Sequence, residues 1–237
     1  MVDARTIIET AIKEGRKKLL EHESLDLLRA YDVPVAPYAF VKDEEEAEKK
    51  AEEVGFPAVV KVVSPDIVHK SDVGGVIIGL NSKEDIVKAV QAIRKNVAEK
   101  APRAKITGFL IQKMMPKGIE VIVGAIRDPV FDAAVMFGLG GIFVEVLRDV
   151  SFRVAPVARE DALEMIREIK ASKILQGYRG EPPRDLEALA DIIVKVSKLM
   201  LDIKEVNEMD INPIISYEKG AYAVDARFIL RVNGENK

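Results

Sequence analysis

Apolar and polar residues along the chain are spaced so as to predict a mixture of helices and strands. Thr6 to Leu28 reads as helical, with Ile7, Ile8, Ile12, Leu19 and Leu20 set among charges. Tyr31-Asp32-Val33-Pro34 breaks that run, because the residue before a proline disfavours helical backbone. Ala36 to Val41 is a short apolar strand, with Asp43 after it as a helix N-cap. Ala47, Ala51 and Val54 then recur at helical spacing, and Gly55 stands where a helix C-terminal glycine belongs. Pro57 to Val63 and Gly75 to Leu80 have strand composition. Ser82 opens a helix whose buried stripe is Ile86, Val90, Ile93 and Val97.

Strand-like runs crowd together next, at 106–112, 119–126, 133–137, 142–147 and 151–155. Helices at 160–169 and 185–201 follow, and the chain closes with strands at 206–216 and 221–228, joined by the turn Glu218-Lys219-Gly220. Strands and helices grouped this way, instead of alternating strictly, predict α+β lobes. Pro116 and Gly118, between two apolar runs, mark the boundary between lobes.

Composition narrows the classes. The 237 residues are 48% hydrophobic and 32% charged, which excludes a disordered or collagen-like chain. No apolar run approaches the ~20 residues of a membrane span, and the N-terminus lacks a signal-peptide core. The expectation is a cytoplasmic protein without membrane contact. A net charge of −3 shows no basic excess of the kind nucleic-acid binding asks for. With 0 Cys and 2 His, cysteine nucleophiles and three-histidine metal sites are excluded. Asn and Gln are scarce beside Glu, Lys and Arg, a heat-adapted usage.

The chemistry gathers in a few segments. There is no GxxxxGK[ST] loop, and Gly138-Leu139-Gly140-Gly141 does not satisfy GxGxxG. Lys61 lies inside a valine run, where a half-buried ammonium group wants an anion such as phosphate, or else faces water from an amphipathic strand. Lys70-Ser71-Asp72-Val73-Gly74-Gly75 offers a cation, a hydroxyl and backbone amides for an anion, or simply a hairpin turn. His69, in the same loop, is a nucleophile, a proton carrier or an ordinary surface side chain. His22, between Glu21 and Glu23, reads as a surface residue. Asn212 and Asp225 come out opposite each other if the last two strands pair, and their oxygens suit magnesium. Glu120 either holds ribose hydroxyls or faces water. Arg127, Glu145 and Arg153 have no role assignable from spacing.

Four segments in order, PAVVKVVSPDIVHKSDVGGV, IQKMMPKGIEVIVG, VMFGLGGIFVEVL and EMDINPI, closely resemble the nucleotide-binding part of NDP-forming acyl-CoA synthetases, which carry an ATP-grasp domain. The resemblance runs from about Leu20 to Phe228. It implies an ATP-grasp fold in which two α+β lobes clamp a nucleotide, divided here into a helical arm (1–19), an N-terminal lobe (20–112) and a C-terminal lobe (113–237). It also implies roles. Lys61 and Lys70 would hold phosphates, and Ser71 to Gly75, with Gly74 and Gly75, would form the phosphate-side loop. Gln112, Lys113 and Met114 would face the adenine, and Glu120 the ribose. Asn212 and Asp225 would bind Mg2+, and Asp210 would meet a phosphorylated histidine. His69 would relay a phosphoryl group to ADP, giving ATP. Where the family's ATP-grasp domain is a separate short chain, a CoA-binding α subunit carries the first phosphohistidine, in an α2β2 assembly. The resemblance leaves two alternatives, a stand-alone carboxylate ligase and a non-catalytic nucleotide-binding module.

Overall fold

The valine run becomes an inner strand because both of its neighbours supply partners for its backbone. The computed structural model describes residues 3–141, 149–178 and 180–231; the expected strand at 142–147 and Glu145 lie outside the described residues. Strands β1 (Tyr38–Val41), β2 (Ala58–Val63), β3 (Val76–Leu80) and β4 (Gly108–Lys113) form an antiparallel sheet in the order β1-β4-β2-β3. Ala58, Val60 and Val62 turn one face of β2 into a core shared with α3 (Glu44–Val54) and α4 (Lys83–Lys100). Lys61 has the opposite parity and leaves through the face these helices do not cover.

Both helices start where the spacing places them. The Asp43 carboxylate accepts from the Glu46 amide at 2.9 Å, and the Ser82 hydroxyl accepts from the Asp85 amide at 3.1 Å. Helix α3 stops at Gly55, whose φ of 83° suits a residue without a Cβ.

The second sheet joins β5 (Ile119–Asp128), β6 (Asp132–Leu139), β7 (Val150–Val154), β8 (Val206–Ser216) and β10 (Ala226–Leu230) in the order β10-β8-β5-β6-β7, while β9 (Ala221–Ala223) pairs with β8. Helices α5 (Arg159–Glu168) and α7 (Leu186–Asp202) pack on it, and the short α6 (Ser172–Leu175) follows α5. Arg127, only 3% exposed, closes the end of α7. Its guanidinium donates to the carbonyls of Met200, Ile203 (3.0 Å) and Val206 (3.2 Å) and to the Asp132 carboxylate (2.7 Å). Carbonyls that no helical amide can reach are thereby satisfied. Arg153 pairs with Glu164 and Glu168 of α5.

Two expectations about elements are corrected. The stretch from Thr6 to Leu28 is two helices, α1 (Ala4–Lys13) and α2 (Glu21–Ala30). Gly15, at φ 71°, ends the first. Lys17 to Leu19 are drawn into pairing with β10, where the Leu19 amide donates to Phe228 and Leu230 donates to Lys17. The arm at 1–19 is therefore helical only through Lys13. The expected closing strand at 221–228 is also two strands, β9 pairing with 214–216 of β8 and β10 with 206–211.

Residues Leu20–His22 and Ala36–Pro116 form one compact unit; residues up to Leu19, Glu23–Val35 and those from Lys117 onward form the other. The expected division placed all of 20–112 together, and Glu23–Val35 departs from it. No helix among the described residues is long and apolar enough to cross a membrane.

Candidate functional site

In the unit that contains Lys61, the lysine does not end in water. Its ammonium donates to Glu21 Oε1 at 2.6 Å, and Lys70 donates to the other oxygen of the same carboxylate. The Glu21 side chain is 4% exposed, against 14% for Lys61 and 23% for Lys70. Burial pushes the Glu21 carboxyl up, but the charges of Lys61 and Lys70 and their hydrogen bonds outweigh it and hold the group below the usual carboxylate range. Two cations thus meet on one buried carboxylate.

Glu21 is the residue the sequence reasoning missed. It comes from the first turn of α2, 40 positions before Lys61, and nothing local marks it. His22 is not a surface residue either: its ring stacks on Phe40 with centroids 3.9 Å apart.

The loop between β2 and β3 carries His69. Ile67 is buried in the core, Val68 is 72% exposed, and His69 is exposed. The Gly75 amide donates to Lys70 O at 2.7 Å and that of Gly74 to Ser71 O at 3.0 Å, so in this conformation both amides close the turn and do not face an anion. A Cβ on Gly75 would lie 2.6 Å from a Val62 methyl, and Gly74 has φ +64°, so the glycines are required by the turn itself. The Ser71 hydroxyl belongs to an exposed residue. At the end of β4, Gln112 is buried, and the amides of Lys113 and Met114 donate to Pro37 and Pro57.

In the other unit, β8 brings the acidic motif to the solvent-facing side of its sheet. Val123 pairs with Ile211 and Val121 with Ile214, so β8 has one residue more than β5 across this step. Such a bulge re-aims a side chain, and Asn212 is the exposed residue at it. Its amide donates to Asp225 O at 3.1 Å, which sets the two expected metal ligands side by side. Among the described residues no group of three or more acidic or histidine side chains could hold a metal alone. One amide oxygen and one carboxylate, both hard ligands, fit a magnesium ion that completes its shell with phosphate oxygens and water.

Asp210 faces Gly124 across the ladder, where there is no side chain to cover it. Arg227 of β10 donates to it at 2.8 Å and to Glu208 at 2.7 Å, a cation spacing did not reveal. Glu120, exposed near the start of β5, accepts the Gly140 amide at its carbonyl (2.8 Å). A Cβ on Gly140 would come within 3.0 Å of the Glu120 Cβ, so the glycine leaves that carboxylate its approach.

Comparison with known proteins places these features in a family. The ATP-grasp domain family matches residues 10–230. The chain is 56% identical over 227 residues to the acetate–CoA ligase [ADP-forming] I subunit beta of Pyrococcus furiosus, covering 96% of this chain and 97% of that one. It is 50% identical to the acetate–CoA ligase [ADP-forming] I of Archaeoglobus fulgidus, covering 96% of this chain but 33% of that protein. The dinucleotide forming acetyl-coenzyme A synthetase 1 of Ca. Korarchaeum cryptofilum, in complex with coenzyme A, Ca-AMPCP and HgCl+, superposes with a TM-score of 0.92 at 49% identity, covering 97% of this chain and 100% of that one. A second form of that enzyme, with coenzyme A and Mg-AMPPCP and its phosphohistidine segment pointing towards the nucleotide binding site, has a TM-score of 0.86 at 46% identity, again covering 97% and 100%.

Proposed function

Because this chain belongs to the ATP-grasp family, in its branch of ADP-forming acetate–CoA ligase β subunits, we propose that it binds ADP or ATP with Mg2+ and relays a phosphoryl group through His69. The overall reaction is acyl-CoA + ADP + phosphate ⇌ acid + CoA + ATP. The observation that carries this reading is the exposed His69 placed directly before Lys70, whose ammonium meets that of Lys61 on the Glu21 carboxylate. Nucleotide binding alone has no use for a nucleophile there.

In this reading Lys61 and Lys70 meet the phosphates, and Ser71 supplies a hydroxyl beside them. The Gly74 and Gly75 amides join only when the turn opens, since they are spent within it. Lys113 and Met114, after the buried Gln112, face the adenine, and Glu120 takes the ribose hydroxyls. Asn212 and Asp225 hold Mg2+, which when bound neutralises phosphate charge. The His69 imidazole attacks phosphorus, the bond from phosphorus to the donor breaks, and a new P–N bond forms. An oxygen of the ADP β-phosphate then attacks the same phosphorus, and the P–N bond breaks as ATP forms. Asp210, to which Arg227 donates, is the acidic residue assigned to the phosphorylated histidine. Splitting one long transfer into two short ones leaves the protein mainly positioning and charge neutralisation to supply.

The donor belongs to a second polypeptide. This chain matches only a third of the Archaeoglobus enzyme, so the acyl and CoA chemistry falls to the remainder, supplied here by a CoA-binding α subunit with its own phosphohistidine, in an α2β2 assembly. The phosphohistidine segment pointing towards the nucleotide in the Korarchaeum enzyme supports delivery of this kind. Purified chain and α subunit, incubated with acetyl-CoA and labelled phosphate, should label both chains, this one at His69, and ADP should chase the label into ATP. ATP formed with label on the α subunit alone would overturn the relay. ATP consumption with acetate in the absence of any partner would support the stand-alone ligase instead.

A further inference from the structure

The loop that carries His69 is fixed at two kinds of point. Ile67 is packed in the core on one side. On the other, the Val62 amide donates to Gly75 O at 2.8 Å, Asn96 donates to Gly74 O at 3.0 Å, and the Lys100 ammonium reaches Asp72 O at 3.4 Å. Between these anchors stand Val68, His69 and Lys70, and an ion pair ties Lys70 to Glu21.

The pair is asymmetric in a useful way. Glu21 is the most buried of the three charged groups, and a buried carboxylate stripped of all its cations would be costly. Lys61, however, sits in the middle of an inner strand and keeps its 2.6 Å bond whatever the loop does. Glu21 can therefore give up Lys70 without being left unpaired. The exchange is also balanced for Lys70, provided another anion takes the place of the carboxylate.

We propose that Glu21 is a positioning residue that latches the His69 loop: its carboxylate holds Lys70 in the resting position, and a phosphate oxygen that takes over Lys70 releases the loop. The second half of this statement rests on the reading that Lys61 and Lys70 meet nucleotide phosphate; the first half does not. The latch makes movement of His69 conditional on an occupied phosphate site, so that the histidine leaves its resting place when there is phosphate to work on.

Hydrogen exchange of the full chain, followed by mass spectrometry, separates the two halves. Without nucleotide, Glu21→Gln and Lys70→Met should each speed exchange of the 64–75 peptide about tenfold, the scale of one lost charge-assisted hydrogen bond. Peptides from β4 and β8 should be unchanged, and the double variant should exchange no faster than either single one. A Glu21 that merely supported the fold would loosen β2 and β4 as well, and its effect would add to that of Lys70→Met. Either result, or an unchanged 64–75 peptide, overturns the latch. Should Glu21→Gln fail to fold, Lys70→Met, at the more exposed end of the pair, decides alone. Adding ADP to the parent chain should then raise loop exchange towards the Lys70→Met level and leave Lys70→Met itself unmoved. ADP bound by calorimetry with no change in the loop overturns release by phosphate. No ADP binding at all overturns the nucleotide reading, with the latch still judged by the first comparison.

Discussion

A lysine flanked by valines on an inner strand must keep its head in water or find an anion, and Lys61 finds Glu21. Lys61→Met keeps the stem and removes the charge. It should raise the Kd for ADP by roughly 10–100-fold, in line with about 1.5–3 kcal/mol for a hydrogen bond to a charged group. Isothermal calorimetry reads this directly, and full affinity would return Lys61 to a purely structural pairing with Glu21. Asp225 makes a different case, since the backbone sets it beside Asn212 at the bulge of β8. Asp225→Ala should leave the fold intact. The Mg2+ concentration for half-maximal turnover should rise by about tenfold or more, because one of the two side-chain oxygens assigned to the ion is gone. An unaltered magnesium dependence would remove both residues from the metal site.

At the scale of elements, what could be read from spacing was whatever lay contiguous in the chain. β2, β5 and β8 come close to the expected strands, and the caps at Asp43 and Ser82 make the expected bonds. The candidate motifs were legible for the same reason, each being a short run of neighbours such as His69 to Gly75. What could not be read depends on topology. Glu21 reaches Lys61 across 40 positions and Arg227 reaches Asp210 across 17, and in neither case does a local pattern require it. The break at Gly15 was missed because helical spacing of apolar residues continues on both sides of it. Asp185 belongs to both kinds. As the N-cap of α7 it accepts from the Ala188 amide at 3.0 Å, and its other oxygen accepts from Gly220 at 2.8 Å, tying the helix to the turn between β8 and β9. The Gly220 and Ala188 bonds hold its carboxyl below the ordinary Asp range. Asp185→Ala should destabilise the chain by about 1–2 kcal/mol, the usual cost of a lost cap. Since the folded pKa is depressed, that stabilisation is present above the unfolded value and is lost as pH falls through the folded one. Denaturant melts of parent and variant should therefore differ near neutral pH and converge in acid; a gap that persists in acid would contradict the assignment.

At the scale of the whole molecule, the proposed relay asks how a histidine on this chain would serve a donor on another. The matched relatives solve it in two ways, as a separate β chain in Pyrococcus and as part of a protein about three times as long in Archaeoglobus. Under the proposed relay the phosphoryl group would cross from one functional part to another, and a histidine that can move is the simplest carrier. The loop here is suited to that only in its middle: Val68 and His69 are exposed, whereas Ile67 is anchored and the Gly74-Gly75 turn is hydrogen-bonded. A short excursion of 68–71 about those fixed ends is what the packing permits. His69→Asn keeps the polarity and approximate size of the side chain but has no nucleophilic ring nitrogen. With the α subunit present it should still bind ADP with nearly the parent affinity, because no phosphate contact is assigned to the imidazole. It should also leave the α subunit's labelling by acetyl-CoA and phosphate intact, since that half-reaction does not involve this chain. ATP formation should fall by at least ~10³-fold, the scale on which a covalent nucleophile is missed. ATP made by His69→Asn at close to the parent rate would mean that the group passes straight from the α subunit to ADP.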